Sequence, residues 1–289
     1  MTMPVDRPSA DAVQAANEKS RRLKELLQAP GILIMPGAFN VLSALLYQHL
    51  GFEAIQGSSA GFANAMGRPD LGISRESTLA ATGQVAAAVT VPVNADGEDG
   101  YGGPSDVRDT VRAFVTAGAA GMNMEDGDRA GHAKLMDFAF QLEKVRAFGE
   151  ERKELGSEFL LNARCDAFAR MRDDRPAALK EAVRRGQTWA EAGADCVFFF
   201  GVTEPEIIRT LVKEVPAPVS ILAAPGVPSA RELEEMGVAR VSYGSMFLRV
   251  AVAAVKRAAL EVKEQKTHEL MSDAISGAEL RDVLGGRSS

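Results

Sequence analysis

Short apolar runs rich in β-forming residues alternate along this chain with longer stretches of amphipathic period. Eight such runs occur, at residues 31–36 (GILIMP), 53–57 (EAIQG), 91–96 (VPVNAD), 121–125 (GMNME), 159–164 (FLLNAR), 195–200 (DCVFFF), 218–222 (PVSIL) and 239–243 (ARVSY). Strand alternating with helix predicts a parallel sheet, and eight repeats predict closure into a single (β/α)8 TIM-type barrel. An open, doubly wound sheet is the structural alternative. Ser105 and Asp106 ahead of VRDTVRAFVTAG, and Ser229 ahead of ARELEEMG, read as N-caps, while Gly118, Gly193 and Gly237 sit where helices should stop. The phrase helix, glycine, apolar strand recurs at AGAAGMNM, AGADCVFF and MGVARVSY.

Residues 1–20 are polar and read as a loose arm or a leading helix. Residues 245–264 read as a long helix with an apolar face, and the charged segment 265–280 as a further helix packing on a neighbouring subunit. The whole chain, 1–289, is expected to form one domain, with 265–289 as a helical extension and tail. At 289 residues and 46% hydrophobic content it can bury one large core, and barrels of this class run near about 250 residues. Lys plus Arg is 33 against 39 for Asp plus Glu, a formal net charge of -6, so no surface built for nucleic acid or anionic lipid is expected. The two cysteines, Cys165 and Cys196, lie inside apolar runs and make no metal or redox spacing. No apolar run approaches a membrane span and the N-terminus is polar, which points to a cytoplasmic protein.

Side chains alternate across a strand, so residues two apart share a face. On that rule Asn94, Asp96 and Glu98 face one way, as do Asn123 and Glu125, and Asn162 and Arg164, each set at the C-terminal end of its strand. The intervening Val93, Ala95, Met122, Met124, Leu161 and Ala163 are apolar and should face the helices. The polar sets then converge on the barrel mouth where this fold keeps its active sites. Three carboxylates there, Asp96, Glu98 and Glu125, would repel one another unless protonated or sharing a cation. The alternative is that they are carboxylates solvated at strand ends. Oxygen ligands with Asn companions and no convergent His or Cys favour Mg2+, or Mn2+, over Zn2+. Arg164 offers a planar fork of donors for a carboxylate or phosphonate, or else pairs structurally with Asp96 or Glu125. Ser58 and Ser59, in GSSAG, offer amides and hydroxyls that can cradle an anion, and Asp70, in GRPDLG, lies in the following loop, within reach of the metal through water.

Taken together, PGAFNVLSA (36–44), GSSAG (57–61), GRPDLG (67–72), NADGEDGYGG (94–103), AGAAGMNMEDG (117–127), LLNARCDAF (160–168) and AGADCVFF (192–199) resemble the isocitrate lyase and phosphoenolpyruvate mutase superfamily. The resemblance covers roughly residues 30–260. It implies a barrel, Mg2+ or Mn2+, and a small 2-oxo or 2-hydroxy acid as substrate. Asp96 and Glu98 match the family's paired acids, Glu98 standing where a second Asp is more usual. Glu125 matches the third acid, Asp70 the acid of the loop after the second strand, Arg164 the substrate-binding arginine, and Ser58, Ser59 and Ala60 the turn that holds the substrate carboxylate through its amides. Asn123 and Asn162 join them as substrate-binding candidates. The resemblance also implies a homotetramer, or a dimer, exchanging a C-terminal helix.

The departures narrow the activity. Where isocitrate and methylisocitrate lyases carry a Lys-Cys-Gly-His type loop, this chain reads GDRAGHAKL (127–135), so that the proton donor is either missing or replaced by His132 or Arg129; His132 is the candidate general acid or base, the alternative being a surface histidine near a helix start. Phe200 stands in place of a Glu, and Ala223 and Ala224 in place of an Asn. Isocitrate lyase activity is therefore not expected. The expected reaction is Mg2+-dependent cleavage or decarboxylation of a bond beta to the carboxylate, through an enolate that the cation stabilises. Alternatives are a mutase or hydrolase cleaving the C–P bond of phosphonopyruvate, a phosphoester-binding barrel using the turn at Gly244–Met246, and a catalytically silent 2-oxo acid binder.

Overall fold

The structure, a computed structural model, describes residues 5–127, 134–266 and 268–285. Nine strands appear: β1 (Leu33–Met35), β2 (Gly37–Ala38), β3 (Ile55–Gly57), β4 (Val93–Asp96), β5 (Gly121–Glu125), β6 (Leu160–Cys165), β7 (Cys196–Phe199), β8 (Val219–Leu222) and β9 (Arg240–Ser242). The helices are α1 (Ala10–Gln28), α2 (Val41–His49), α3 (Ser59–Ala65), α4 (Arg75–Ala88), α5 (Pro104–Thr116), α6 (Phe138–Leu155) and α7 (Ala167–Arg170). They continue with α8 (Arg175–Glu191), α9 (Pro205–Glu214), α10 (Ala230–Glu235), α11 (Met246–Lys263), α12 (His268–Asp273) and α13 (Gly277–Val283).

Every strand pair is parallel, in the order β1-β9-β8-β7-β6-β5-β4-β3-β2. The two ends of that order, β1 and β2, are adjacent in sequence and form one stave split at Pro36. Proline has no N–H to give the ladder, so the chain changes partner there. β1 pairs with β9, β2 pairs with β3, and the Pro36 carbonyl accepts from the Gln56 amide at 3.0 Å. The eight predicted runs thus make eight staves of a closed TIM-type barrel, and the open sheet is excluded. Gly37, just after the split, passes so close to the turn after β9 that a Cβ there would lie 1.7 Å from the Gly244 carbonyl oxygen.

The predicted alternation holds in the packing. Ala95, Met122, Met124, Leu161 and Ala163 bury outward against Val107, Val111 and Phe114 of α5, Val145 and Phe148 of α6 and Trp189 of α8, while Val93 packs with Val85 and Ala86 of α4. The leading segment is no loose arm from residue 10 onward: Leu23, Leu26 and Leu27 of α1 pack with Leu33, Met35, Ala54, Ala120, Leu160 and Cys196. That apolar plug closes the N-terminal end of the barrel, and Ser20 Oγ ties it down by donating to the Ala120 carbonyl at 2.9 Å.

Ser229 caps α10 in a reciprocal box with Glu232, and Gly118, Gly193 and Gly237 follow α5, α8 and α10 with φ of +77°, +99° and +86°. The start of α5 differs from the prediction. Pro104 is its first residue, and Asp106 sits inside the first turn, its carboxylate accepting from the Gly103 amide at 2.9 Å. Proline favours that position because its missing N–H has no helical partner to lose. The segment 265–280, expected as one helix, holds α12 and the start of α13; α13 returns to touch α2 and buries Val283. Among the described residues no helix is long and apolar enough to cross a membrane.

Candidate active site

The C-terminal ends of the strands enclose a cavity of about 380 Å³. Register places its walls: Asp96 lies beside Asn123 across β4 and β5, and Glu125 beside Arg164 across β5 and β6. These four, with Ser58, Ser59, Ala60, Glu98 and Asp70, all line the cavity. Glu98 arrives by a different route from the one alternation predicts. It lies past the end of β4 with φ +49°, a left-handed conformation that non-glycine residues adopt at a cost of roughly 1–2 kcal/mol. Its carbonyl accepts from the Glu125 amide at 2.7 Å, and the Gly97 amide before it donates to the Asn123 carbonyl at 3.0 Å, so the turn is stitched to β5.

Asp96 is oriented by α3. Its Oδ2 accepts from Ser59 Oγ at 2.8 Å and from the Ser59 amide at 3.2 Å. The small-residue turn also has a part in the scaffold. Ser58 Oγ caps α3 by accepting from the Gly61 amide at 3.1 Å, and the Ser58 amide donates to the Ala38 carbonyl at 3.2 Å. Those two serines hold the acid and the helix in place. Asn162 lies under the cavity and donates its Nδ2 to Asn123 Oδ1 at 2.7 Å, supporting the asparagine that reaches the wall. Asp70 sits exposed at the mouth, its Oδ1 accepting from the Leu71 amide. His132 and Arg129 lie outside the described residues.

Arg164 is held on three sides. Its Nη1 meets Glu125 Oε2 at 2.5 Å, its Nε and Nη2 donate to the two oxygens of Asp166 at 2.7 and 3.2 Å, and its Cζ lies 4.0 Å from the centre of the Phe200 ring. Burial works against its charge, but Glu125 and Asp166 outweigh it and hold the guanidinium above the usual arginine range. Glu125 is pushed up to about 8, first by burial, with Arg164 opposing and Asp166, Asp96 and Glu98 adding repulsion. Behind the wall, buried Asp126 accepts from the Asp166 amide at 2.7 Å and from Arg185 Nη1 at 2.9 Å.

The predicted repulsion is thus present but only partly unanswered, because Arg164 already compensates Glu125. Among the described residues no three acidic, histidine or cysteine side chains, the expected set of Asp96, Glu98 and Glu125 included, gather closely enough to hold a metal ion between them. An all-oxygen wall with Asp96 and Glu98 at one side still suits a hard cation that keeps several waters, as Mg2+ does. Next to Arg164 the lining turns apolar, with Phe198 beside it in register and Phe200 over its guanidinium, and Leu222, Arg170, Arg172, Ser242, Gly244 and Ser245 complete it. The sequence pattern did not single out Leu222, Arg170 or Arg172 as site residues. The Gly244 turn therefore belongs to this same cavity. Asp166 stands two residues after Arg164 inside the quoted NARCDAF segment, which was its one legible signal; the loop arginines carry no periodicity.

A parallel barrel whose C-terminal mouth sets acids and a clamped arginine around a small cavity has the form of an enzyme for small molecules. The phosphoenolpyruvate phosphomutase family profile matches residues 23–263, and the chain belongs to this family, as an enzyme of the isocitrate lyase/phosphoenolpyruvate mutase superfamily. It is 34% identical to an uncharacterised protein of Mycobacterium tuberculosis over 80% of this chain and 84% of that one. The 2-methylisocitrate lyase of Bacillus subtilis is 29% identical over 92% and 89%. A phosphonopyruvate hydrolase solved with oxalate and Mg2+ superposes with a TM-score of 0.81 at 27% identity, covering 92% of this chain and 95% of the other.

Proposed function

We propose that the protein is a Mg2+-dependent lyase or decarboxylase that cleaves the C–C bond beta to the carboxylate of a small 2-oxo or 2-hydroxy acid. The observation that carries this reading is the meeting of Asp96, Glu98, Glu125 and Arg164 on the wall of one cavity, with the apolar Phe198 and Phe200 beside Arg164. Asp96 and Glu98, with Glu125 beside them, would hold Mg2+ or Mn2+, which supplies Lewis-acid stabilisation of the charge that builds on the 2-oxo oxygen during cleavage. Arg164 presents donors already aligned by Asp166 and Phe200, so little reorganisation is needed as negative charge develops near it. Phe198, Phe200 and Leu222 exclude water from the organic part of the substrate, and Arg170 and Arg172 suit a second anionic group. Ser59 keeps Asp96 turned into the cavity.

The superposition on phosphonopyruvate hydrolase, together with the rim arginines, favours C–P cleavage of phosphonopyruvate as the second reading. One panel separates the two. Pyruvate and glyoxylate release is followed with Mg2+ over substituted malates, oxaloacetate, 2-methylisocitrate and phosphonopyruvate, with phosphate release as the C–P signal. The expected result is turnover of a diacid that Asp96→Ala abolishes. Turnover unaffected by that substitution overturns the site; Mg2+-dependent binding without turnover of any member leaves the chain a 2-oxo acid binder.

The reading extends to assembly. α11 buries only Leu248 and leaves Val252, Val255 and Val262, which share one side of the helix, exposed at 58%, 68% and 48%. An apolar helix face of this extent is suited to a second copy of the chain, as a dimer or tetramer that exchanges its C-terminal helices.

A further inference from the structure

A second polar layer lies below the cavity floor, above the plug formed by α1. Its centre is Arg240, on β9, which projects into the barrel with 1% of its surface exposed. Arg240 Nη2 donates to Gln56 Oε1, which also accepts from Asn94 Nδ2 at 3.0 Å. Asn94 Nδ2 reaches on to Asn123 Oδ1 at 2.9 Å. Gln56 and Asn123 are part of the cavity wall, whereas Arg240 is not. The guanidinium is therefore two side chains removed from Asn123, which the site presents to its ligand.

No carboxylate pairs with Arg240 among the described residues. Its Nε and Nη1 have no hydrogen-bond partner there, nor do Ser220 Oγ, Asn94 Oδ1 and Asn162 Oδ1. A buried cation without a paired acid is costly, and an apolar side chain of similar volume is commonly neutral or better in such a place. Packing alone does not account for an arginine here, since its register neighbours are Leu33 and Ser220. Burial pulls the Arg240 group down to about 10, with Cys196 and then Asp96 opposing, so it remains a cation at neutral pH. What lies above it is the cavity with its acids Asp96, Glu98 and Glu125.

We propose that Arg240 is a positioning residue of the site: through Gln56 and Asn94 it fixes Asn123 on the cavity wall, and its charge beneath the floor favours an anionic ligand above. The proposal rests on the reading of the cavity as a 2-oxo acid site. It has a signature that a packing role lacks. The same charge that attracts the anion repels the cation, so removing it should move the two affinities in different directions.

The test measures Mn2+ binding alone, then oxalate binding in the presence of Mn2+, for the full chain and for Arg240→Met and Arg240→Lys. Arg240→Met is expected to bind oxalate about tenfold more weakly and to bind Mn2+ as tightly as the parent or more so, with Arg240→Lys recovering part of the oxalate affinity. Ser220→Asp is the second variant. It keeps the guanidinium, sets a carboxylate beside it from the neighbouring strand, and should give the same oxalate loss even where Arg240→Met fails to fold. Equal losses of Mn2+ and oxalate, or oxalate affinity unchanged in both variants, overturn the proposal. Absence of Mn2+ and oxalate binding by the parent protein instead overturns the reading of the cavity on which it rests.

Discussion

Glu98 combines a left-handed backbone with a buried carboxyl on the cavity wall, a pairing of strain and position that is characteristic of functional residues. Glu98→Gln keeps the shape and the strain but removes the charge. It should leave the urea midpoint close to that of the parent while weakening Mn2+ binding at least about tenfold; an unchanged Mn2+ affinity would remove Glu98 from the metal site. A second residue-scale prediction concerns Glu204, at the start of α9. Its hydrogen bond to Arg175, outweighing burial, holds its carboxyl down to about 2 from the usual 4.5. A depressed acid contributes stability above its unfolded pKa and loses it as pH falls through the folded one. Glu204→Gln should therefore melt lower than the parent at pH 6, and the difference should shrink between pH 4.5 and 2. A difference constant with pH would mean the pair stabilises by packing alone.

At the scale of elements, the top of the barrel is held by an ion pair that no single strand or helix contains. Arg185 of α8 reaches Asp126 at the end of β5, and Asp126 in turn orients Asp166, the residue that aligns Arg164. Arg185→Met leaves a fully buried carboxyl without its cation, which should destabilise the fold by about 3–5 kcal/mol. Adding Asp126→Asn should recover part of that loss in denaturant titrations, because the desolvated charge is then gone; strictly additive losses would show that the two side chains act independently. This network was invisible to strand periodicity. Parity ordered Asp96, Asn123, Glu125 and Arg164 correctly because alternation is a property of the extended backbone. It said nothing of Asp126 and Asp166, which lie beyond the strands where alternation ends, and for the same reason it missed that Glu98 reaches the cavity through a left-handed turn rather than along β4.

For the molecule as a whole, the exposed apolar face of α11 predicts association. Val255→Asp combined with Val262→Asp should lower the mass seen by light scattering toward the 30.7 kDa of one chain, with the barrel's circular dichroism intact; an unchanged mass would place the interface elsewhere. Closure of eight staves follows from the eight apolar runs and the helical stretches between them, since local period and turn chemistry are written in neighbouring residues. So does the delivery of acids and arginine to one mouth. The split of the first stave at Pro36, the sealing of the barrel by α1, the clamp of Arg164 between Glu125, Asp166 and Phe200, and the burial of Arg240 beneath the floor could not be read this way. Each depends on which distant segments meet when the barrel closes, and burial and pairing across such distances have no period in the chain.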